Sequence, residues 1–292
     1  MKNILFVGGS GLLGKIWLKK LNNSIRIFAT VNKNKIEIKR RKLKILKLNI
    51  FDKNELDEFI KKNNIDIIIN VAGLTSIEKC EKNKKEAIRI NVNIPEKLKN
   101  VAEKNNIKII HLSTDHIFSG KKKGYYEENY KPSPLNFYSK TKFMAENKIK
   151  KYKKSLIIRT NFFGGVTKNR KSFSEYILSN IKKKKYIYLW NNIFFTPVSI
   201  NFLIDIIHKL INKNIYGVIN IASNDRISKF NFGLQLCSYF KINKKYILKK
   251  ENDKNSVIRP KNMSLSNKKL LKIFPNLKRE LFLKNQIKQM YK

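Results

Sequence analysis

The sequence predicts an α/β protein, with a doubly wound parallel sheet joined to a smaller C-terminal α/β lobe. Short apolar runs of strand length alternate with segments of helical periodicity along the first half of the chain, which is the pattern of a parallel sheet with crossover helices. A glycine-rich turn separates the first run from the first helical segment. Polar clusters follow the ends of several runs, where sheets of this class form their ligand crevice.

The first apolar run, residues 3–7, predicts a buried strand and leads into the turn Gly8-Gly9-Ser10-Gly11-Leu12-Leu13-Gly14. Strand, glycine turn and helix in this order indicate a Rossmann-type dinucleotide site, in which backbone N–H groups and a helix N-terminus meet a pyrophosphate. Glycines in the turn allow the close approach of phosphate and the tight packing of helix on strand. The expected cofactor contacts in this turn are Gly8, Ser10, Gly11, Leu12, Leu13 and Gly14.

The second run, residues 25–31, ends without the acidic residue that NAD-specific sites place there for the ribose hydroxyls. Asn32 and Lys33 follow it, and Arg40 and Arg41 lie close in sequence. Positive charge at this point favours the 2′-phosphate of NADPH, with Asn32 as a further cofactor contact. NADH stays open, because lysine is common along the whole chain.

Residues 43–48 and 66–70 predict the third and fourth strands. Asp52, shortly after the third strand, either contacts the adenine or caps the helix that follows, and the sequence leaves both interpretations open. Ala72 and Gly73 come directly after the fourth strand. This segment brings the backbone close to where a cofactor would lie, so both are candidate cofactor contacts.

A helical stretch over 77–105, with a break near Pro95, leads to the fifth strand at 107–112. The strand ends in the hydroxyl and acid cluster 113–115. Since the carboxyl ends of parallel strands meet at one edge of a sheet, this cluster is expected beside the glycine turn and the segment after the fourth strand.

Tyr138 and Lys142 are four residues apart in a helical segment, so their side chains share one face. A free tyrosine has a pKa of about 10, and a fixed cation beside it lowers that pKa by stabilising the phenolate. The pair can then exchange protons near neutral pH. Such a pair also arises by chance in a lysine-rich chain, so its weight comes from the other polar elements that converge on the same sheet edge.

After the sixth strand at 156–159 the pattern becomes less regular. Further helices are expected at 172–181, 232–240 and 267–273 and in a segment ending near 212, with strands at 186–190 and 217–222. We expect residues 1–165 to form an NAD(P)-binding Rossmann domain to which 195–225 return. Residues 166–194 and 226–292 are expected to form a substrate-binding lobe.

The chain is strongly basic, with 64 Lys and Arg against 21 Asp and Glu and a formal net charge of +43. Such charge is often associated with nucleic acid or an anionic membrane. Here the lysines are spread over the whole chain among abundant Asn and Ile, without an Arg-Gly tract, a heptad-backed basic region or a zinc spacing. We therefore expect no specific nucleic-acid partner, and a charge that helps phosphate-bearing ligands approach.

Cys80 and Cys237 lie far apart without a Cys-x-x-Cys pattern, so two reduced thiols are expected. Glycines interrupt the apolar run behind Lys2 and no small-residue cleavage site follows, which disfavours a signal peptide. No apolar stretch reaches the roughly 18 residues that span a bilayer. We expect a soluble, cytoplasmic protein without a membrane partner.

With these motifs together, the chain resembles the extended short-chain dehydrogenase/reductase superfamily. Within it, the chain is similar to the dTDP-4-dehydrorhamnose reductase family, the RmlD-like sugar-nucleotide-binding proteins. The similarity covers nearly the whole chain. Besides the glycine turn it rests on NVAGLTSIEKCE at 70–81, HLSTDHIFSG at 111–120, YSKTKFMAE at 138–146, IRT at 158–160 and IRPKNMSLSNKKL at 258–270.

The resemblance implies hydride transfer from NAD(P)H to the keto group of a nucleotide-linked 4-keto-6-deoxysugar, as in dTDP-rhamnose and surface polysaccharide biosynthesis. It assigns proton donation to Tyr138, support of its pKa and the nicotinamide ribose to Lys142, and a hydrogen bond to the carbonyl oxygen to Thr114. Implied substrate contacts are Thr75, Glu78, Ser113, Asp115, His116, Phe162 and Arg259. For Arg259, pairing with the diphosphate and a plain surface position both stay open.

Some positions depart from the family pattern. The usual acid at the end of the third strand falls at Asn49, which puts adenine recognition in question. His116 replaces the usual tyrosine after Ser-Thr-Asp, and Glu78 stands for the acid of a Thr-x-Val-Asp block, so the sugar can differ from the rhamnose precursor. A glutamate that serves a magnesium site in some members falls at Ile16, and no metal is expected.

Two other functions compete. A nucleotide-sugar epimerase uses the same scaffold, and the Asp-His pair after Thr114 disfavours only a dehydratase, which has Asp-Glu there. A non-catalytic, nucleotide-binding regulatory subunit would keep the fold, but the presence of Thr114, Tyr138 and Lys142 together speaks against it. The expected partner is a nucleotide sugar, and a homodimer stays open.

Overall fold

The computed structural model describes residues 1–20, 25–31, 36, 38–168, 170–251 and 257–291. The chain divides into two compact units. The first comprises Met1–Ser113, Phe137–Ile158 and Ile215–Val218, and the second comprises Thr114–Asn136, Arg159–Asn214 and Ile219–Lys292. The domain boundaries expected from the sequence stay a prediction.

Up to residue 160 the strands are β1 (Lys2–Val7), β2 (Ile25–Thr30), β3 (Leu43–Leu46), β4 (Ile67–Asn70), β5 (Lys108–Leu112) and β6 (Ser155–Thr160). The helices are α1 (Leu12–Lys19), α2 (Lys53–Lys62), α3 (Ile77–Lys82), α4 (Lys84–Ile88), α5 (Ile94–Lys104) and α6 (Phe137–Ile149). A π-helical turn covers Arg89–Asn93 and a 3₁₀ turn covers Asp115–Ile117.

After residue 160 the strands are β7 (Phe162–Phe163), β8 (Val166–Thr167), β9 (Arg170–Lys171), β10 (Ile187–Trp190), β11 (Phe194–Phe195), β12 (Val198–Ser199), β13 (Gly217–Ile221), β14 (Ile227–Ser228) and β15 (Ile247–Lys250). The helices are α7 (Phe173–Lys182), α8 (Ile200–Ile211), α9 (Lys229–Phe240), α10 (Lys268–Ile273) and α11 (Leu283–Tyr291). Two further 3₁₀ turns cover Lys244–Tyr246 and Pro275–Lys278.

The largest sheet has seven strands in the order β13-β6-β5-β4-β1-β2-β3. β1 pairs in parallel with both β2 and β4, and β5 pairs in parallel with β4 and β6. The chain therefore extends the sheet from β1 to one side and then, from β4, to the other, which is the doubly wound Rossmann-type arrangement. The predicted fold class is confirmed, and the ligand crevice of such a sheet lies where β1 and β4 end.

The central strands are apolar along their whole length because parallel strands are covered on both faces. All of β4 is buried, including Asn70 at its end. Leu5, Phe28, Ile68 and Ile109, from four neighbouring strands, belong to one hydrophobic cluster of the first unit. The polar residue that ends β4 is therefore enclosed by an apolar core, and a buried amide must find hydrogen-bond partners.

The helical stretch predicted over 77–105 is divided into shorter pieces. Asn83 ends α3 and begins α4, where its side chain accepts a hydrogen bond from the Glu86 N–H. This interruption was not predicted, because asparagine competes with the helical backbone only when local geometry lets its side chain cap a new turn. The predicted break near Pro95 is wrong, because the π-helical turn Arg89–Asn93 continues directly into α5 with helical backbone at Asn93 and Ile94. Pro95 does lie in the first turn of α5, where its missing N–H is tolerated.

The second unit has a core of its own. Phe163, Phe195 and Phe232 pack edge to face, with ring centroids 5.2 Å and 5.5 Å from Phe232. Leu283 and Ile287 of α11 are buried in the same cluster. Helix α11, strand β15 and the two-residue strands were not predicted from the sequence, because such short elements are fixed by distant partners rather than by local periodicity.

Within the described ranges, no helix is both long enough and apolar enough to cross a membrane. Cys80 and Cys237 are both free thiols in buried positions. Burial raises the pKa of the Cys80 thiol to about 11, with a smaller contribution from Glu81. These cysteines are therefore packing residues with little thiolate at neutral pH.

Candidate active site

The glycine turn after β1 has the conformation that a phosphate cradle requires. Gly8 has a φ of +98°, which only glycine adopts readily, and the Gly11 N–H donates to the Gly8 carbonyl at 3.1 Å. A Cβ on Gly8 would lie 2.6 Å from the backbone nitrogen of Ala72. The turn and the segment after β4 are thus in direct contact, as in a dinucleotide site.

The remaining turn residues form the start of α1. Leu12, Leu13 and Gly14 are buried on its inner side. A Cβ on Gly14 would collide with the Gly8 carbonyl oxygen. Ser10 and Gly11 precede the helix, which leaves the first backbone N–H groups of α1 without partners from its own preceding turn. This is the arrangement that binds anions at helix N-termini.

Replacing Gly8 with alanine is expected to weaken NADPH binding at least tenfold and to lower the free energy of unfolding. The alanine must either keep a left-handed φ or displace the Ala72 backbone, and such strain costs about 1–3 kcal/mol, or roughly tenfold or more in affinity. Cofactor titration and urea unfolding measure both effects. Gly124→Ala is the matched control, because no atom lies within 4 Å of a Cβ at that position; equal affinities in the two variants would contradict the cradle.

A cavity of about 740 Å³ opens at the ends of β1, β2 and β4. Its lining includes Gly8, Thr30 and Ala72 at the strand ends, Lys47 and Arg89 as cations, and one carboxylate, Glu55. The complete lining is Val7, Gly8, Thr30, Val31, Lys47, Leu48, Asn49, Ile50, Phe51, Glu55, Ala72, Arg89, Ile90 and Ile94. Its position beside the glycine turn and its volume suit the adenosine half of a dinucleotide.

The structure distinguishes the two interpretations of Asp52. Its carboxylate accepts hydrogen bonds from the N–H groups of Asn54 and Glu55, at 3.0 Å and 3.1 Å, and so caps α2. Asn49 lines the cavity instead, and its Oδ1 accepts from the Phe51 N–H at 3.1 Å. Asp52 is therefore corrected from cofactor contact to helix cap. Asn32 lies outside the described residues.

The segment after β4 is held by Asn91, which the sequence analysis did not single out. Its Oδ1 accepts from the Leu74 N–H at 2.8 Å, and its Nδ2 donates to the Leu74 carbonyl and to Thr141 Oγ1, each at 3.0 Å. Gly73 faces the same side chain, since a Cβ there would lie 3.5 Å from Asn91 Oδ1. An asparagine inside a lysine-rich helical stretch gives no local signal of this role.

Thr75 and Glu78 follow this segment at the surface of the first unit. Both are exposed. The Ser76 hydroxyl caps α3 by accepting from the Lys79 N–H, and it donates to Glu78 Oε2 at 3.2 Å. The two residues thus present polar groups next to the backbone that the cradle contacts.

Tyr138 and Lys142 lie in the first unit on α6, and both are buried, with 7% and 4% of their surface exposed. The helix begins where Glu81 accepts from the Phe137 N–H at 2.7 Å. Lys142 Nζ donates to the Leu112 carbonyl at 2.7 Å and lies 3.3 Å from His111 Nε2. Burial lowers the pKa of Lys142 to about 8, while Glu146 raises it.

Ser113 follows β5 in the first unit, and its hydroxyl group is already hydrogen-bonded to another buried side chain. Its hydroxyl donates to Glu146 Oε1 at 2.5 Å, and both side chains are buried. A serine has a single hydroxyl proton, so in this arrangement Ser113 does not donate to a substrate carbonyl. We reassign it from substrate contact to support of the buried Glu146.

The other predicted site residues belong to the second unit. Thr114 caps the 3₁₀ turn, where its Oγ1 accepts from the His116 N–H at 3.3 Å. Asp115 is buried and accepts from Asn161 Nδ2 at 2.9 Å. Burial raises the pKa of the Asp115 carboxyl, and the nearby Lys229 ammonium opposes that rise. Lys229 is thus a cation beside the Thr-Asp-His segment.

Lys229 was missed because it is one lysine in a chain with 64 Lys and Arg residues and belongs to no motif. Its Nζ lies 3.3 Å from the Phe195 ring centroid and 4.8 Å from that of Phe173. Burial, together with the charges of Lys229 and Arg259, lowers the pKa of His116 to about 3. His116 is therefore a neutral imidazole at physiological pH.

Arg259 and Phe162 are also placed in the second unit. Arg259 Nη1 donates to the Val257 carbonyl at 2.9 Å, and its guanidinium carbon lies 5.1 Å from the Trp190 ring centroid. The Trp190 contact and the hydrogen bond to Val257 hold the guanidinium in place, so Arg259 is more constrained than a plain surface arginine. Phe162 lies in β7, which pairs in parallel with β12.

Within the described residues, no group of three or more His, Cys, Asp or Glu side chains is arranged so that it could hold a metal ion. The cradle, cavity and buried Tyr138–Lys142 pair all lie in the first unit. Thr114, Asp115, His116, Phe162 and Arg259 all lie in the second.

Comparison with known proteins gives several relatives. The chain is 26% identical over 234 residues to a probable low-salt glycan biosynthesis reductase of Haloferax volcanii, covering 79% of this chain and 77% of the relative. It is 31% identical over 166 residues to the dTDP-4-dehydrorhamnose reductase of Aggregatibacter actinomycetemcomitans. That match covers 56% of this chain and 53% of the relative, so this chain spans about half the length of that reductase.

Solved structures are similar to this chain over nearly its full length. A hypothetical dTDP-4-dehydrorhamnose reductase from Sulfolobus tokodaii has a TM-score of 0.82 at 29% identity, covering 94% of this chain and 95% of that chain. A dTDP-4-dehydrorhamnose reductase from Bacillus anthracis in complex with NADP has a TM-score of 0.82 at 21% identity, covering 100% and 99%, which shows the shared fold. The family described as RmlD substrate binding domain matches residues 1–292. This protein therefore belongs to the RmlD substrate binding domain family, and its resemblance to the RmlD-like extended short-chain dehydrogenases/reductases is confirmed.

Proposed function

We propose that this protein is an NAD(P)H-dependent oxidoreductase that reduces the keto group of a nucleotide-linked 4-keto-6-deoxysugar. The reaction is that of a dTDP-4-dehydrorhamnose reductase. The observation that carries the proposal is the buried Tyr138–Lys142 pair on α6, in the unit that also contains the glycine cradle and its cavity. The names of the relatives in Haloferax volcanii and Aggregatibacter actinomycetemcomitans support a reductase.

The cradle and cavity fit a nicotinamide dinucleotide, because the glycine turn presents the N-terminus of α1 to a pyrophosphate and the cavity of about 740 Å³ lies directly beside that turn. Gly8, Ser10, Gly11, Leu12, Leu13 and Gly14 would hold the pyrophosphate, and Ala72 and Gly73 would lie along the cofactor. When bound, the cofactor supplies a hydride to the substrate carbonyl carbon. Lys47 and Arg89 in the cavity lining favour a 2′-phosphate and hence NADPH, while the solved neighbours include complexes with NADP and with NAD.

The protein's own residues handle the proton. Tyr138 donates the phenolic proton to the oxygen that becomes an alkoxide. Lys142 stabilises the phenolate that forms, because a buried cation acts on its neighbour through a low dielectric. Thr114 donates to Asp115 Oδ1 at 3.3 Å, a longer bond than that of Ser113, and its hydroxyl turns from Asp115 to donate to the same carbonyl oxygen, where negative charge develops.

We assign substrate recognition to polar and aromatic groups of the second unit, together with Thr75 and Glu78 of the first. Arg259 pairs with the diphosphate through its planar guanidinium. Neutral His116 hydrogen-bonds a sugar hydroxyl, and Phe162 packs against the apolar face of the sugar. Thr75, Glu78 and the Asp115 region supply further polar contacts. We assign the first unit to the cofactor and the second to the nucleotide sugar.

We place the reaction in the synthesis of surface polysaccharide precursors, in the cytoplasm. Two buried free thiols are consistent with a reducing compartment. An epimerase and a regulatory subunit are less well supported, because the chain carries Thr114, Tyr138 and Lys142 and several relatives are named reductases. Unlike a reductase, an epimerase regenerates its cofactor.

The proposal is tested by following absorbance at the reduced-nicotinamide band. Purified protein is mixed with NADPH or NADH and a dTDP-4-keto-6-deoxysugar generated in situ. We expect stoichiometric loss of absorbance, faster with NADPH. Tight cofactor binding without any loss of absorbance, for every keto sugar offered, would overturn the reductase assignment and favour an epimerase or regulatory role.

A further inference from the structure

A continuous hydrogen-bonded chain lies behind Lys142 in the first unit. The Ala72 N–H donates to Asn70 Oδ1 at 3.1 Å, and Asn70 Nδ2 lies 3.1 Å from His111 Nδ1. The other ring nitrogen, His111 Nε2, lies 3.3 Å from Lys142 Nζ. Asn70 and His111 have no exposed surface, and Lys142 has 4%. In a site shielded from water, a donor that faces another donor has no alternative partner, and one hydrogen bond is lost.

The direction of each hydrogen bond in this series is set by the backbone N–H of Ala72, which can only donate. A backbone N–H is always a donor, so Asn70 must turn its oxygen to Ala72 and its amide N–H to His111. His111 Nδ1 must then accept, and a neutral imidazole carries its one proton on the other nitrogen. The Nε2–H of His111 therefore points at Lys142, where it needs an acceptor.

Only an uncharged amine offers that acceptor. An ammonium group has three donors and no lone pair, so a charged Lys142 leaves two donors facing each other at 3.3 Å. Rotating the Asn70 amide moves the conflict to Ala72 without removing it. The chain is fully satisfied when Lys142 is neutral and lacks one hydrogen bond when Lys142 is charged.

We propose that His111 is a positioning residue for proton transfer. Oriented by Asn70, it donates from Nε2 to the uncharged amine of Lys142 and so stabilises the state that follows proton release from Lys142 toward Tyr138. This deepens the proposed reductase function and rests on it.

The O–H bond of Tyr138 breaks as the O–H bond of the product alcohol forms. An N–H bond of Lys142 then breaks, the Tyr138 O–H bond is restored, and the freed lone pair on Lys142 accepts the His111 Nε2–H. A proton from bulk solvent then re-forms the N–H bond of Lys142, so each turnover consumes one solvent proton.

Other charges near Lys142 do not account for this preference. On its own helix it faces Tyr138 and Glu146, and Glu146 favours the charged amine. On α3, Glu81 accepts from the Phe137 N–H at 2.7 Å, and on α5, Glu96 pairs with Lys148 at 2.8 Å. These carboxylates oppose a neutral Lys142 or are engaged elsewhere, while burial and the hydrogen-bonded chain favour it.

The first test reads the tautomer directly in the unmodified protein. The chain has 3 histidines, so His116→Gln and His208→Gln suffice to assign the His111 signals in a long-range ¹H–¹⁵N spectrum of ¹⁵N-histidine-labelled protein. At pH 9.5 we expect His111 as the neutral Nε2–H tautomer. A neutral Nδ1–H tautomer, a mixture of the two or a cationic ring would overturn the proposal.

A variant at Asn70 should reverse the donor and acceptor directions of these hydrogen bonds. Asn70→Asp presents oxygen on both sides, so His111 should switch to the Nδ1–H tautomer and leave Nε2 to accept from a charged Lys142. We expect the tautomer signal to invert, and the alkaline limb of the reductase rate to move up by about one pH unit, the equivalent of one hydrogen bond. An unchanged tautomer in this variant would contradict the proposed direction of the chain.

A double variant separates the effect of the added carboxylate charge on Lys142 from the effect of the hydrogen bonds through the His111 ring. Asn70→Asp with His111→Phe keeps the carboxylate but removes the ring, so most of the upward shift should be lost. Retention of the full shift would mean that charge alone acts on Lys142, which overturns the role of His111. The tautomer is measured without substrate, so this inference can fail while the absorbance assay succeeds, and the reverse holds as well.

Discussion

Tyr138→Phe is expected to abolish measurable turnover while leaving NADPH affinity nearly unchanged. The substitution removes only the phenolic O–H, and general acid catalysis of this kind contributes about 10²–10⁴ in rate. Tyr138 is buried on α6 in the unit that contains the cradle, and phenylalanine fills the same volume. Steady-state rates and cofactor titration of the same preparation measure the two quantities.

The matched control for this variant is Tyr176→Phe, since Tyr176 has 48% of its surface exposed. It should retain the wild-type rate. If Tyr138→Phe kept equal turnover, Tyr138 would not be the proton donor, and the assignment of this helix pair to catalysis would fail. Loss of cofactor affinity in parallel with turnover would instead indicate a role in binding.

Lys142→Met is expected to lower the reductive rate by a factor of about 10² or more, because the phenolate of Tyr138 loses the charge that stabilises it. In the wild-type protein the rate should fall as the pH rises through about 8, where the buried ammonium loses its proton. The pH–rate profile of Lys142→Met should not show this alkaline fall in rate. A pH–rate profile from pH 6 to 10 for both proteins is the measurement.

Stability separates this catalytic loss from misfolding. A lysine whose pKa is lowered by folding binds fewer protons in the folded state than in the unfolded state, so stability rises with pH between about 8 and the ordinary pKa near 10.5. At pH 7 the charged Lys142 therefore opposes folding, and methionine removes that cost. Urea unfolding at pH 7 should show a variant no less stable than wild type.

The exposed Lys140 on the same helix gives the control, Lys140→Met, which should change neither the rate nor the pH profile. If Lys140→Met and Lys142→Met had similar effects, the general loss of positive charge would explain the result. The position of Lys142 beside Leu112 and His111 would then not be the cause of the lower rate.

The amino-acid sequence by itself determined the sheet, the glycine turn and the shared helical face of Tyr138 and Lys142. The runs that become β1 to β6 are apolar because both faces of a parallel strand are covered. Gly8 is required by a φ of +98°, which is a local property of one residue. The spacing of Tyr138 and Lys142 places both on one helical face without knowledge of anything distant. Such features are readable because they depend on neighbours in the chain.

Only the tertiary structure decided which polar groups meet. Asn70 and His111 are 41 residues apart, Asn91 and Thr141 are 50 apart, and Ser113 and Glu146 are 33 apart. The same structure assigned Asp52 to a helix cap and placed Lys229 near Asp115. Buried polar groups must find partners wherever the fold brings them together, and that pairing is a property of the packed sheet and helices rather than of any local sequence pattern.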